Sequence, residues 1–300
     1  MEHVMDTSTS SASSNEYELP PVLTDPPSTG ADWRPPRHEY VPYRPPGDAN
    51  GVSKQPREVD PSILPGGKKS LAGVSIRSFA LGQVFGLCFL LTLLLSWWSI
   101  PLWRAPFFLT SLSLFHFLEY YITAQYNTPY ASISAFLLSS NGAAYNIAHT
   151  SAMVECLLAR LVLPEGYTKW TSLGFGGVKV QIALGLILMA IGQVTRSLAM
   201  AQAGTNFTHT IQSKRREGHT LVKDGIYSIL RHPSYFGFFW WGLGTQLVLG
   251  NAVCLLAYAI VLWQFFSFRI QREEKLLISF FDKEYIEYRA KTRVGIPFIS

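Results

Sequence analysis

Charged side chains are scarce in this sequence. Asp, Glu, Lys and Arg make up 15% of its 300 residues, whereas hydrophobic residues make up 48%. Soluble domains carry roughly 25% charged residues, so the shortage argues against an ordinary soluble protein. Aromatic residues are abundant at 14%. Together these proportions predict a protein with several membrane-spanning helices.

Cysteine is also rare. Cys88, Cys156 and Cys254 lie in apolar stretches without a CxxC spacing. We interpret them as small core residues rather than disulfide partners or metal ligands, and we predict no metal site. The sequence begins without a basic region followed by an apolar one. The first spanning segment is therefore expected to serve as the membrane signal.

Several signatures of soluble enzymes and of nucleic-acid binding are missing. No GxGxxG motif follows a predicted strand, and no Walker A, HExxH or GxSxG motif occurs. These absences argue against a Rossmann-type methyltransferase or dehydrogenase domain. The basic residues lie beside apolar segments rather than along a groove, so no nucleic-acid partner is expected.

Composition divides the chain into three parts. Residues 1–70 are rich in Pro, Ser, Thr and Asp, which predicts a disordered cytosolic tail. Its proline pairs are of a kind that SH3 and WW domains bind, although a solvated tail is the simpler interpretation. Residues 71–200 are predicted to contain four transmembrane helices, near 75–100, 104–124, 141–163 and 174–200.

Residues 201–300 form the third part. They are predicted to contain a polar cofactor-binding segment, a membrane hairpin that turns at Asn251, and an amphipathic C-terminal helix. The expected fold is thus an all-α integral membrane protein of about six transmembrane helices, the last two of which form the hairpin. Basic residues cluster before the first span, before the hairpin and after it, which predicts cytosolic N- and C-termini.

The stretch RHPSY, residues 231–235, lies at the mouth of the hairpin. Pro233 is suited to the first turn of a helix, whose unpaired N–H groups attract anions. Arg231 is expected to be an interface anchor. At the other end of the hairpin, Arg269 and Glu273 are four residues apart. This spacing is typical of an ordinary ion pair on a helix, and it also suits a site for a charged ligand. The hairpin is expected to bring them back close to RHPSY, as suits a charged cofactor and an anionic substrate with a lipid part.

Ionisable residues also occur within the second predicted span. His116 and Glu119 are three residues apart and share a helical face. Ionisable groups at membrane depth are candidates for function. We favour a structural role, in which the two residues bond between helices.

Four stretches together resemble the isoprenylcysteine carboxyl methyltransferases. They are RSLAMAQAGTNFTH, HTLVKDGIYSILRHPSYFGFFWWGLGTQLVLGN, FFSFRIQREEKLLISFFDKEYIEYR and GIPFI. The resemblance is dense over about 190–299, and FHFLEY in the second span extends it. RHPxYxG alone is shared with phospholipid N-methyltransferases and membrane sterol reductases. The sequence departs from the pattern at Ala252, where relatives often carry proline.

The resemblance implies an endoplasmic reticulum enzyme that uses S-adenosyl-L-methionine. The implied substrate is the C-terminal prenylcysteine carboxylate of CaaX-processed proteins, of the small GTPase or lipopeptide type, with the prenyl chain in membrane lipid. Arg269 and Glu273 would be catalytic, and Arg269 would also bind the substrate. The implied cofactor-binding residues are Gln212, His219, Thr220, Leu221, Val222, Tyr227, His232, Pro233, Ser234, Tyr235 and Glu273.

The chemistry agrees with this assignment. A terminal carboxylate is ionised at pH 7, so the methyl transfer needs alignment and no general base. Arg269 is suited to hold the carboxylate by two hydrogen bonds, and Glu273 to pair with the cofactor's amino group. The alternatives are a phospholipid N-methyltransferase, a membrane sterol reductase, and a non-enzymatic membrane scaffold with a Pro-rich tail.

Overall fold

The computed structural model describes residues 59–162, 173–215 and 217–300. Predictions for residues 1–58 and for the linker after the third span lie outside this part of the chain. The described residues are mainly helical, with one isolated bridge between Leu230 and Arg293. In chain order the α-helices are α1 (Leu71–Trp97), α2 (Arg104–Tyr126), α3 (Ala143–Leu161), α4 (Val178–Ala203), α5 (Pro233–Leu249), α6 (Ala252–Phe281) and α7 (Lys283–Lys291).

Three helices in the described ranges are long and apolar enough to cross a membrane. They are Leu71–Trp97, Val178–Asn206 and Ala252–Phe281. Each exceeds the roughly 20 residues that the hydrocarbon layer requires. The expectation of a helical membrane protein is confirmed, whereas the total of six spans stays a prediction.

The chain is already structured before α1. Asp60 accepts a hydrogen bond from the backbone of Ser62 at 2.9 Å and caps a short 3₁₀ helix. The carbonyl of Lys68 accepts a hydrogen bond from the backbone N–H of Ile133 at 2.9 Å, and Ser70 caps α1. The tail was predicted to reach residue 70, so its boundary was placed too late.

The hairpin of α5 and α6 turns where it was expected. Gly250 ends α5 with a φ of 71°, a left-handed conformation that favours glycine. The side chain of Asn251 is buried and donates to the carbonyl of Ala152 at 2.8 Å and to Gln246 at 2.9 Å. These bonds fix the turn against α3.

The charged C-terminal segment, for which an amphipathic helix was predicted, is helical in two parts. In the first part α6 continues without a break as far as Phe281. The break comes at Asp282, which has a φ of 47°, and α7 adds nine residues. The continuous helix carries Arg269 and Glu273 on one face, four residues apart.

The backbones of α4 and α5 touch through two pairs of glycines. A Cβ atom added at Gly192 would lie 2.5 Å from the carbonyl oxygen of Gly237, and the reverse distance is also 2.5 Å. A Cβ atom at Gly185 would lie 2.8 Å from the carbonyl oxygen of Gly244. Small residues permit such close approach of helices in membranes. This contact sets the position of the N-terminus of α5 relative to α4.

The last residues of the chain pack along the hairpin. Val294 and Ile296 are buried with Phe239, Phe266 and Ile270 in one apolar cluster. The indole N–H groups of two tryptophans hold this segment, with Trp240 donating to the carbonyl of Gly295 at 3.3 Å and Trp263 to that of Pro297 at 2.8 Å.

Candidate functional site

A cleft lies at the N-terminus of α5, between α4, α6, α7 and the polar segment that follows α4. It has a cavity volume of about 120 Å³ and is partly open to solvent. Its lining residues are Ala203, Asn206, Phe207, Thr208, His219, Thr220, Leu221, Val222, Tyr227, Arg231, His232, Pro233, Ser234, Tyr235, Glu273, Leu277, Phe281, Tyr285 and Tyr288.

Most residues singled out from the sequence meet in this cleft. Of the eleven residues that the resemblance implied for the cofactor, ten line it. Gln212 is not among the lining residues, and its side chain bonds to the carbonyl of Thr210 at 3.3 Å. Arg269 lies behind the lining, in contact with Tyr235.

The hydroxyl of Tyr235 lies between Arg269 and Glu273. It donates to Glu273 Oε2 at 2.5 Å and accepts from Arg269 Nε at 2.8 Å. Arg269 also donates through Nη2 to the carbonyl of His209 at 2.5 Å. The side chain of Tyr235 therefore joins α5 to the cation and the carboxylate of α6, as the hairpin argument required.

Arg231 is buried rather than placed at the membrane surface. Its side chain donates to Glu274 Oε1 at 2.6 Å and to the carbonyl of Thr292 at 2.9 Å. Glu274 Oε1 also lies 3.2 Å from His232 Nε2. The expectation that Arg231 is an interface anchor was wrong, because the C-terminal segment folds back over it and supplies Thr292.

A buried polar network supports the opposite side of the cleft. Glu119 from α2 is 1% exposed. Its carboxylate accepts from Arg196 through Nε, and from Nη2 at 2.8 Å, and it lies 2.9 Å from His209 Nε2. Arg196 in turn donates to the hydroxyl of Ser234 at 2.8 Å. Helices α2, α4 and α5 are thus joined immediately beneath the cleft.

His116 and Glu119 both bond between helices, but only the partner of Glu119 belongs to the cleft. His116 Nδ1 lies 2.8 Å from the carbonyl of Phe136, and its Nε2 lies 3.0 Å from the hydroxyl of Tyr145 in α3. The interpretation of His116 as a residue that bonds between helices is confirmed. Glu119 also bonds between helices, but its partner Arg196 reaches the lining of the cleft.

Hydrogen bonds fix the wall formed by the polar segment. Asn206 and Thr220 exchange two bonds, from Thr220 N to Asn206 Oδ1 at 3.1 Å and from Asn206 Nδ2 to Thr220 Oγ1 at 3.2 Å. Tyr227 donates to the carbonyl of Ala199 at 3.2 Å, and Tyr288 donates to that of Tyr227 at 2.7 Å. Burial raises the pKa of Tyr227 and of Tyr288, so both phenols remain neutral donors.

Sequence reasoning missed part of the lining. Leu277 and Phe281 follow Glu273 at four and eight residues in α6. Helical spacing places these three on one face, so that signal was available. Tyr285 and Tyr288 in α7 could not be predicted from helical spacing, because the direction of α7 depends on the break at Asp282.

The lining suits a ligand with charges of both signs and an aromatic ring. Glu273 offers a carboxylate to a cation, and the N-terminus of α5 offers the backbone N–H of Ser234 to an anion, since Pro233 has no N–H and those of Tyr235 and Phe236 donate to the carbonyl of His232. Tyrosine and phenylalanine rings line the remaining wall, where a flat heterocycle can pack. S-adenosyl-L-methionine has all three features.

Comparison with known proteins identifies the family of this chain. Residues 184–279 match the model of the isoprenylcysteine carboxyl methyltransferase family. A Saccharomyces cerevisiae protein named protein-S-isoprenylcysteine O-methyltransferase is 50% identical over 192 residues, which is 64% of this chain and 79% of that protein. The Schizosaccharomyces pombe protein of that name is 43% identical and covers 77% of this chain and 96% of its own.

More distant relatives agree. The Homo sapiens protein of the same name is 39% identical over 76% of this chain and 75% of its own length. A solved structure, that of a eukaryotic intramembrane Ras methyltransferase (isoprenylcysteine carboxyl methyltransferase), matches with a TM-score of 0.64 at 32% identity. The match covers 76% of this chain and 77% of that one. The chain therefore belongs to the isoprenylcysteine carboxyl methyltransferase family.

Proposed function

We propose that the protein transfers a methyl group from S-adenosyl-L-methionine to the C-terminal carboxylate of a prenylated cysteine. The observation that carries this proposal is the arrangement of Arg269, Tyr235 and Glu273 at the edge of the cleft. This arrangement would set a site for the substrate carboxylate beside a site for a cationic cofactor. Relatives that are 50% and 43% identical bear the name of this activity.

The cofactor would lie in the cleft. Glu273 would accept hydrogen bonds from its ammonium group, and His232 with the N-terminus of α5 would bind its carboxylate. Tyr227, Tyr285 and the neighbouring apolar side chains would hold its adenosine. When bound, S-adenosyl-L-methionine supplies a methyl group on a positively charged sulfur.

Arg269 would align the carboxylate that receives the methyl group. Within the described part of the chain, its bonds to Tyr235 and His209 use Nε and one hydrogen of Nη2. Nη1 and the other hydrogen of Nη2 are then left for two parallel bonds to a carboxylate. The two existing bonds fix the plane of the guanidinium, which lowers the entropy lost when the substrate is aligned.

The residues of the site need not remove a proton from this substrate. A terminal carboxylate has a pKa near 3.5 and is ionised at pH 7. The lining residues therefore act by placing charges and excluding water. An amine acceptor, as in a phospholipid N-methyltransferase, would instead have to lose a proton and would be repelled by Arg269.

We also propose an orientation of the protein in the membrane. The protein would lie in the endoplasmic reticulum membrane with about six spans, and both termini and the cleft would face the cytosol. The basic residues of the polar segment and of the end of α6 support this orientation. Prenylated CaaX proteins, of the small GTPase or lipopeptide type, would be the substrates, with the prenyl chain entering from lipid.

A methylation assay with purified protein in lipid nanodiscs tests the proposal. Radiolabelled S-adenosyl-L-methionine is supplied with N-acetyl-S-farnesylcysteine or with phosphatidylethanolamine, and NADPH consumption is followed with a sterol. Base-labile label in the farnesylcysteine product is expected. Label in phosphatidylethanolamine alone, or NADPH consumption without methyl transfer, would replace the proposal by one of the alternatives. Activity retained after deletion of residues 1–58 would show that methyl transfer does not depend on the tail.

A further inference from the structure

A second cavity lies beside the cleft, and Arg231 lines both. It has a volume of about 660 Å³. It lies between the C-terminal part of α6, one side of α7 and the last residues of the chain. Its lining residues are Arg231, Ile278, Ile286, Arg289, Ala290, Thr292, Arg293, Val294, Gly295, Ile299 and Ser300.

The charges in this cavity are mainly positive. Arg231 is held by Glu274, and Arg289 Nε lies 3.3 Å from the other oxygen of the same carboxylate. Arg293 is exposed, and no partner of its guanidinium is found among the described residues. Three arginines thus line the cavity, and two of them share the single carboxylate of Glu274, so positive charge is in excess.

The remaining wall is apolar and lies beside the hairpin. Ile278, Ile286 and Ile299 contribute aliphatic side chains to the lining, and Ile286 is 51% exposed. The segment that forms one rim is tied to Trp240 and Trp263. Tryptophan is enriched at the membrane–water interface. The cavity is therefore basic at one side and apolar at the other, at the level where the hairpin leaves the bilayer.

From these features we infer that the cavity binds the headgroup of an anionic phospholipid. Arg289 and Arg293 donate to its phosphate, and the isoleucines contact the glycerol and the first methylene groups of the chains. Basic pockets at the cytosolic face of membrane helices recognise lipids in this way. The apolar wall favours a lipid over free phosphate. The position of the cavity at the membrane surface depends on the orientation proposed above. The positive charge of the cavity does not depend on that orientation.

Native mass spectrometry of the full-length protein tests the inference. The protein is released from nanodiscs of phosphatidylcholine with one fifth phosphatidylserine, without cofactor or prenylated substrate. The native protein is expected to retain one phosphatidylserine in preference to phosphatidylcholine. Arg293→Ala and Arg289→Ala should each lower this retention by about tenfold, the loss expected for one charge-assisted bond.

Lys291→Ala is the matched control, because Lys291 is an exposed cation of α7 outside the lining. It should retain phosphatidylserine like the native protein. Retention unchanged in both arginine variants, or equal retention of phosphatidylcholine, would overturn the inference. Displacement of the lipid by millimolar inorganic phosphate would show a free-anion site, and binding of an acidic peptide without lipid would show a protein site. Because no methyl transfer is measured, failure of the proposed activity would leave this result unaffected.

Discussion

The carboxylate of Glu119 receives two hydrogen bonds from the guanidinium of Arg196, although the residues are 77 positions apart in the sequence. The pair is almost completely buried, with side chains 1% and 9% exposed. Arg196 extends from this contact to Ser234 in the lining of the cleft. Glu119 in α2 thus helps to position the wall of the cleft that contains Ser234, at the N-terminus of α5.

We expect Glu119→Gln to impair both stability and cofactor binding. Removing one partner of a buried ion pair typically costs about 3–5 kcal/mol, because the other charge stays buried without compensation. Thermal unfolding in detergent should occur at a lower temperature. The KM for S-adenosyl-L-methionine should rise by about tenfold. Arg196 would no longer be held by the carboxylate, and its bond to Ser234 would weaken.

The double variant Glu119→Gln, Arg196→Met separates the two effects. It removes both charges, so part of the thermal stability should return. The KM should remain high, because Arg196→Met removes the guanidinium that donates to Ser234. A KM restored together with stability would contradict a positioning role for Arg196.

We expect Arg269→Lys to reduce the rate rather than cofactor binding. Lysine has no planar fork for two parallel bonds, and it cannot contact Tyr235 and His209 as the guanidinium does. The kcat with N-acetyl-S-farnesylcysteine should fall by about 10²-fold, a cost typical of a lost transition-state donor. The Kd for S-adenosyl-L-methionine, measured by calorimetry, should stay nearly constant. Arg272→Lys, an exposed arginine in the same helix, is the control and should be fully active.

The opposite pattern would assign Arg269 a different role. Near-normal turnover in Arg269→Lys would exclude the two-bond contact with the carboxylate. Loss of cofactor binding in Arg269→Ala would show that the cation supports the cleft through Tyr235 instead.

We expect Glu273→Gln to weaken cofactor binding. The substitution keeps the shape of the side chain but removes the charge that would pair with the ammonium group. It also weakens the bond from Tyr235, which is 2.5 Å long. Hydrogen bonds to charged groups contribute about 1.5–3 kcal/mol, so the Kd should rise roughly 10- to 100-fold. Glu284→Gln is the control, because Glu284 pairs with Lys223 at the exposed surface. Equal Kd values for the two variants would remove Glu273 from the cofactor site.

We expect Gly237→Ala to destabilise the membrane part of the protein. The added methyl group would lie 2.5 Å from the carbonyl oxygen of Gly192, a backbone atom that cannot rotate away. Overpacking of this kind typically costs about 1–3 kcal/mol, and the thermal unfolding temperature should fall. Gly82→Ala in α1 is the matched control, since its methyl group would have no neighbour within 4 Å. A fall of equal size in the control would mean that the α4–α5 contact is not the cause.

The sequence was informative about the site wherever local spacing decides the structure. Pro233 begins α5 and Gly250 ends it, because both residues have backbone preferences that act locally. The four-residue spacing places Arg269 and Glu273 on one face of α6. The insertion of the Tyr235 hydroxyl between them was not predictable, because it depends on how closely α5 and α6 pack.

Other features depend on contacts between distant parts of the chain. Arg231 looked like an interface anchor because its neighbours are apolar, and only the return of Thr292 makes it a buried residue. The role of Glu119 needs Arg196 and His209, which come from outside the second helix. Pattern and composition report which residues are unusual in a membrane protein, but tertiary packing decides their partners.

The glycine contacts between α4 and α5 have a mechanical consequence. At the two glycine pairs no side chain separates the backbones of α4 and α5, so sliding one helix along the other would drive a Cβ atom towards a backbone carbonyl group. We therefore expect α4 and α5 to move together and Arg196 and Ser234 to keep their separation. The movement that admits a ligand to the cleft is then expected in the opposite wall, at the ends of α6 and α7.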